Sequence, residues 1–388
     1  MIVIDNITIV LSAVLLLSAV LTPLLNPFFR RPMRLRTEET APEENKEATE
    51  TQKAGVSIVL TPSDDVDALA QNLSAYLDQD YPEYEVIVVA PKGDKETAHV
   101  LKKYATNARL YTTFIPDSSR YMSRKKLAIT LGVKAAKHDW IVIADIFCTP
   151  LTPSWLGTMM RHTQEGYELI VGHTQYEADT KDFWKFERLH TDAYIMRAFQ
   201  KGKPLRSNAN ALLFCKQTFD THEGFRSNLK FLRGEYDFLV NSYGKTTKAC
   251  YENSNEATLT ERVPTRKEWL NKQLYYLSTR QHLHRMGAHK WIYAIDQIAL
   301  HLNYLLLILG ATYGAITMQW IIVAIASLAL IITLAMRITL GKRMCRSFNI
   351  ELAGWKIIPY EIRLMWQKLY FYIKYWHADK YDFISHKV

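Results

Sequence analysis

Four carboxylates stand at positions where chemistry is done in many folds. Asp64, Asp65, Asp94 and Asp145 each follow closely on a short apolar run. If those runs are parallel strands, all four acids fall on one rim, at the carboxyl ends, where ligands bind in open α/β sheets. Such a rim suits a ligand that is cationic or rich in hydroxyl groups. Arg124, Lys125 and Lys126 form a basic run. It could contact phosphates through charge-assisted bonds, or it could be a solvated helix face. Glu235 and Asp237 follow Gly234, a pattern that also marks a helix start, since acids there face the positive end of the helix dipole. His282, His284 and His289 lack the spacing of a zinc-binding helix and lie just before an apolar segment.

The elements that would position these residues alternate. Val56-Ser-Ile-Val-Leu60 is a buried strand closed by Thr61-Pro62-Ser63-Asp64-Asp65. A helical pattern with Leu69, Leu73, Tyr76 and Leu77 on one face runs up to Tyr81-Pro82. Glu85 to Val89, Leu110 to Phe114 and Trp140 to Ala144 read as further strands, with helices over Thr97–Tyr104 and Leu127–Ala136 between them. Short apolar runs separated by helical periods imply an α/β domain with a parallel sheet and right-handed crossovers.

The chain of 388 residues carries a net charge of +9. Its 48% hydrophobic content is enough for a packed core and excludes global disorder. The four cysteines, Cys148, Cys215, Cys250 and Cys345, form no CxxC pair. That argues against a zinc ribbon or disulfide scaffold and for a reducing compartment.

Ile7 to Leu25 is uncharged and apolar, the length of ~20 residues that a helix needs to cross a bilayer. Arg30, Arg31, Arg34 and Arg36 follow it, so it reads as a retained anchor whose C-terminal end is cytoplasmic. Ile298 to Met336 reads as a helical hairpin turning near Gly310–Thr317, with Arg337, Lys342, Arg343 and Arg346 after it. The chain then divides into an anchor and basic flank over 1–36 and an acidic linker over 37–54. An α/β domain over 55–290, a membrane hairpin over 291–337 and a tail over 338–388 complete it. The tail mixes Trp and Tyr with Lys and Arg, as interfacial helices do. The basic residues cluster beside the spans, where lipid charge accounts for them, so a lipid bilayer is the expected partner and nucleic acid is not.

Several segments carry a resemblance. Gln79-Asp80-Tyr81-Pro82-Glu83-Tyr84-Glu85-Val86-Ile87-Val88-Val89 resembles the "QDYP-x-(Y/F)-EVIVV" strand of family 2 glycosyltransferases, above all a membrane-bound subset common in Bacteroidetes. Ser118 to Gly132 resembles that family's lysine-bearing helix, and Ser207-Asn-Ala-Asn-Ala211 its acceptor-side strand. Ile143-Ala-Asp145-Ile-Phe147-Cys-Thr-Pro150 sits where the family has "DADC-x-P", and Gly234-Glu235-Tyr236-Asp237 where it has a catalytic acidic motif. The resemblance covers about residues 55 to 340.

It implies a GT-A, Rossmann-like nucleotide-sugar domain with one N-terminal and two C-terminal transmembrane helices. The implied activity is inverting transfer of a sugar from a UDP- or GDP-linked donor to a lipid-linked or surface-glycan acceptor. The expected place is the cytoplasmic face of a bacterial inner membrane. Glu235 and Asp237 would be the catalytic acids. Pro62, Asp64, Asp65, Asp94, Lys125, Lys126 and Asp145 would bind the donor, and Asp145 would hold Mg²⁺ or Mn²⁺.

Three departures qualify this. Phe147 replaces the second acid of the metal motif, Ala90 or Pro91 replaces an acid after the second strand, and Lys272-Gln273-Leu274-Tyr275-Tyr276 carries Tyr where the Q-x-x-R-W motif has Arg. One carboxylate holds a hard cation poorly, so weak metal dependence is expected. The alternative function is a catalytically degenerate protein that binds a nucleotide sugar or assists a glycan-assembly complex.

Overall fold

The computed structural model describes residues 5–31, 54–62, 65–115 and 123–383. Most of the 37–54 linker and the expected donor residue Asp64 lie outside them. The chain groups into two compact units. One comprises Met1–Pro32, Lys181–Tyr194 and Arg285–Tyr370; the other comprises Met33–Thr180, Ile195–His284 and Phe371–Val388.

In the second unit the apolar runs form strands. β1 (Val56–Leu60) is wholly buried and lies between β2 (Tyr84–Pro91) and β4 (Trp140–Ala144), with β3 (Leu110–Ile115) outside β2. These four strands are parallel. Leu60 pairs with Ala144, so the turn after β1 and Asp145 after β4 emerge at the same edge. The sheet continues through β8 (Ala211–Cys215), β6 (Leu169–Gly172) and β9 (Ala249–Glu252) in the order β3-β2-β1-β4-β8-β6-β9. β8 runs antiparallel to both neighbours, so its start meets the end of β4, with Ala211 opposite Ala144. A three-stranded sheet of β5 (Cys148–Pro150), β10 (Leu259–Glu261) and β7 (Thr174–Tyr176) sets Glu261 opposite Cys148.

Helices cover the main sheet. α2 (Val66–Leu77), α3 (Lys95–Lys102) and α4 (Arg124–Ala135) follow β1, β2 and β3. α4 approaches closely at Gly132, where an added Cβ would stand 2.4 Å from a Val59 methyl. α5 (Trp155–Gln164), α7 (Lys216–Thr221), α8 (Glu235–Tyr243) and α9 (Arg266–Thr279) follow in the same unit, while α6 (Asp182–Gln200) is divided between the two units. The "QDYP" segment serves folding. Gln79 accepts from the Leu156 N–H at 3.0 Å and donates to the Ala75 carbonyl, Tyr81 donates to the Ala54 carbonyl, and Glu85 accepts from Ser57 and the Lys137 N–H.

The first unit holds three helices long and apolar enough to span a membrane, judged by length and composition. They are α1 (Asn6–Leu25), the greater part of α10 (Met286–Ile316) and α11 (Trp320–Ser347). Leu15 and Ala19 of α1 pack with Leu307, Ala326 and Ala329. Arg337 is fully buried and pairs with Glu361 of α12 (Ile357–Trp376), and Tyr194 donates to Asp296 at 2.6 Å. Internal pairing of this kind is what an ionisable group within a membrane-spanning bundle requires.

Candidate active site

The rim of the main sheet gathers charge around Lys125. Ser123 caps α4 through the Lys126 N–H, which fixes the first turn of the helix and the direction of its lysines. The Lys125 Nζ lies 2.7 Å from Asp145 Oδ2 and 2.8 Å from Glu235 Oε1. The side chains of Lys125, Asp145 and Glu235 keep only 9%, 16% and 5% exposure, so the bridge is largely out of water. Burial opposes the Lys125 charge, but the two carboxylates outweigh it and raise the pKa above its usual range. Burial likewise pushes Glu235 up, while Lys125 and then Arg233 outweigh it and hold the acid at about 2. The Tyr236 ring lies 5.4 Å below the Lys125 ammonium. Burial, then Asp145 and Glu235, keep its phenol protonated well above the usual range.

The remaining expected residues have other partners. Asp237 pairs with Arg206 and not with Lys125 among the described residues. Its Oδ1 accepts from the Ser207 N–H at 3.0 Å and lies 3.5 Å from Arg206 Nε, so it holds the irregular segment that leads into β8. Burial raises its pKa, with Arg206 offsetting only part. Lys126 is fully buried, donates to the Asn228 carbonyl at 2.7 Å and lies 4.5 Å from the Phe238 ring centre. Burial draws its amine down to about 7. It braces the segment before Glu235 from within. Asp65 caps α2 by accepting the Ala68 N–H. Asp94 caps α3, accepting the Glu96 and Thr97 N–H groups and the Thr97 hydroxyl at 2.6 Å. That hydroxyl is the chief reason its carboxyl sits below the usual range. Pro62 is buried just past β1.

Sequence reasoning missed three arginines that pack on aromatic rings in this unit. Arg262 follows β10; its N–H donates to the Phe147 carbonyl at 3.1 Å, and its guanidinium lies 4.6 Å over the Phe147 ring. Tyr276 and Tyr275 occupy the segment where Arg was expected. The Arg206 guanidinium lies 3.6 Å over Tyr276 and that of Arg233 6.0 Å over Tyr275. The signal available in the sequence was Arg233 directly before the recognised Gly234-Glu235 piece; Arg262 adjoins no segment that the sequence analysis had singled out.

The donor set at Asp145 does not fit Mg²⁺ or Mn²⁺. Such an ion wants several oxygens at about 2.0–2.2 Å. Here Asp145 Oδ2 is taken by the Lys125 ammonium, Oδ1 accepts the Phe147 N–H at 3.3 Å, and the second acid position is an aromatic ring beneath a guanidinium. Among the described residues no group of three or more His, Cys, Asp or Glu could hold a metal ion.

Comparison with known proteins bears on the family and the fold. A family model described as glycosyl transferase family 21 matches residues 17–358. The mannosyltransferase PcManGT from Pyrobaculum calidifontis, solved with GDP-Man and Mn²⁺, is similar in structure. It has a TM-score of 0.53 and 14% identity, and the match covers 93% of this chain and 98% of that one. S. aureus TarS 1-349, solved with UDP-GlcNAc, gives a TM-score of 0.43 and 11% identity over 64% of this chain and 71% of that one. No curated protein matches the chain. The fold is therefore the mixed α/β fold of a glycosyltransferase, accompanied by three apolar helices. The match supports family 21 where the sequence segments had pointed to family 2 and a Bacteroidetes subset.

Proposed function

The chain belongs to glycosyl transferase family 21, and we propose that it moves a sugar, with inversion, from a nucleotide-sugar donor to a membrane-held acceptor. The observation that carries this is the Lys125 bridge, which joins Asp145 and Glu235 although they are far apart in sequence. Glu235 is the general base. The acceptor hydroxyl oxygen bonds to the anomeric carbon and its proton passes to Glu235. The bond from that carbon to the diphosphate breaks on the opposite face, and the nucleoside diphosphate leaves with the electron pair.

A base with a pKa of about 2 is weak at rest. The incoming diphosphate changes that. It competes for the Lys125 ammonium, and as the ammonium turns from Glu235 towards the phosphates the carboxylate becomes more basic, at the moment the acceptor needs it. Asp145 orients Lys125 and the donor's hydroxyl groups. Pro62, Asp65 and Asp94 shape the nucleoside side, the two acids by fixing the starts of α2 and α3. Lys126 holds the segment before Glu235, and Asp237 ties α8 to the segment that leads into β8. The donor is a UDP- or GDP-linked sugar; the Pyrobaculum neighbour was solved with GDP-Man.

The acceptor is a lipid-linked or growing surface glycan. Three apolar helices on the same chain would keep the catalytic unit beside a bilayer and raise the effective concentration of such an acceptor. Basic residues after α1 and in the last turns of α11 favour the cytoplasmic face of a bacterial inner membrane. Reporter fusions at Glu44 and at Val388 should both report cytoplasm; a periplasmic signal from either contradicts this topology. The stereochemistry has its own test. Proton NMR of the first product formed from an α-linked nucleotide sugar should show a β-linkage, and an α-linked product would remove the single-displacement role given to Glu235.

A further inference from the structure

We infer that Arg262, together with Lys125, supplies the positive charge against the donor's diphosphate that a divalent cation supplies elsewhere; this rests on the transfer reading above. The geometry behind it is independent of that bridge. β10 pairs antiparallel with β5, which sets Glu261 opposite Cys148 and brings Arg262 beside Phe147. Phe147 follows Asp145 by two positions and donates its N–H to that carboxylate. The residue that replaces the second metal-motif acid is therefore the shelf on which the guanidinium rests, 4.6 Å from the ring centre. A cation over an aromatic face is attracted by the ring, and a stacked guanidinium keeps its edge free for hydrogen bonding.

Arg262 is also aimed. Its Nη2 donates to Glu268 at 2.7 Å and lies 3.4 Å from Asp65. Glu268 is itself locked in the capping box of α9 with Thr265, and Asp65 caps α2. Two helix starts therefore hold one edge of the guanidinium. Nε and Nη1 have no hydrogen-bond partner among the described residues, and the side chain keeps 39% exposure. A planar fork with free N–H groups matches the oxygens of a phosphate. The position where the resemblance expects a second metal-motif acid is thus where an arginine is fixed. Lys125 contacts the other oxygen of the same Asp145 carboxylate, and Glu235.

The test uses the full chain in detergent, titrated calorimetrically with UDP, GDP, uridine and guanosine, in EDTA and in Mn²⁺. One nucleoside diphosphate should bind equally well in both. Arg262→Gln should weaken that binding by about tenfold or more, the size of one or two charge-assisted hydrogen bonds, and leave the matching nucleoside unaffected. Arg262→Lys, which keeps the charge without the fork, should fall between. Diphosphate binding that is lost in EDTA and restored by Mn²⁺ overturns the inference. So does an Arg262→Gln variant that binds the diphosphate as the intact chain does, or that loses nucleoside and diphosphate alike. Each of those results leaves the transfer reading standing. Failure of both diphosphates to bind under any condition removes that reading, and this one with it.

Discussion

Glu235→Gln should lower sugar transfer by about 10²–10⁴-fold, the usual contribution of a general base, while donor affinity changes little. The amide keeps the volume and can still contact Lys125, but it cannot accept the acceptor's proton. The pH profile sharpens the expectation. Lys125 and Arg233 hold Glu235 at about 2 against the effect of burial, so in the free protein it is ionised throughout the neutral and mildly acidic range. The acid limb of kcat/KM, which reports the free enzyme, should therefore be absent down to the pH at which the protein itself unfolds. A limb centred near pH 6 would point to a different base. Asp237→Asn should behave otherwise. Its Oδ1 accepts from the Ser207 N–H, a bond the amide oxygen can keep, so it should cost stability before it costs chemistry.

Lys125→Met should produce the largest combined loss. It removes the cation that neutralises the buried Glu235 and the half-buried Asp145, and taking one partner from a buried ion pair costs about 3–5 kcal/mol. The direction with pH follows from linkage. In the intact chain the Glu235 pKa is depressed from 4.5, so the pair contributes stability above that value and loses it as pH falls towards about 2. Without Lys125, burial dominates at Glu235 and its pKa rises. The variant should then be least stable at neutral pH, where the acid would have to be charged, and should recover part of its stability on mild acidification. Melting of the intact and variant chains between pH 4 and pH 8 reads this. Equal melting at every pH would mean that the bridge carries no net energy. Transfer should also be lost, since Lys125 faces both the donor side and the base.

Much of the catalytic unit was legible because buried strands announce themselves. Val56–Leu60 and Trp140–Ala144 are short, apolar and closed by turn residues, and both are central strands in the structure. The position of Asp145 at their common edge followed from that alone. The link from Asp145 to Glu235 was less legible. It depends on α4 approaching the sheet at Gly132 and on a lysine reaching across, and no periodicity encodes a tertiary reach. Asp65 and Asp94 show the ambiguity of acids after strands, because the same position both caps the next helix and faces the rim. The antiparallel β8 was hidden for a related reason, since an apolar run does not state its direction. Arg262 went unnoticed because an edge arginine is usually solvated. Its placement over Phe147 depends on the pairing of β10 with β5, which no local pattern encodes.

The most direct single measurement is release of nucleoside diphosphate from a panel of UDP- and GDP-linked sugars by the intact protein in native membranes, beside the same membranes carrying Glu235→Gln. One donor should be consumed by the intact protein, with sugar appearing on a membrane-bound acceptor, and its consumption should fall by about 10²–10⁴-fold in the variant. A donor that binds the intact protein and is never consumed would instead mark a nucleotide-sugar-binding protein without catalysis. Equal consumption by both would contradict the assignment of Glu235 as the base.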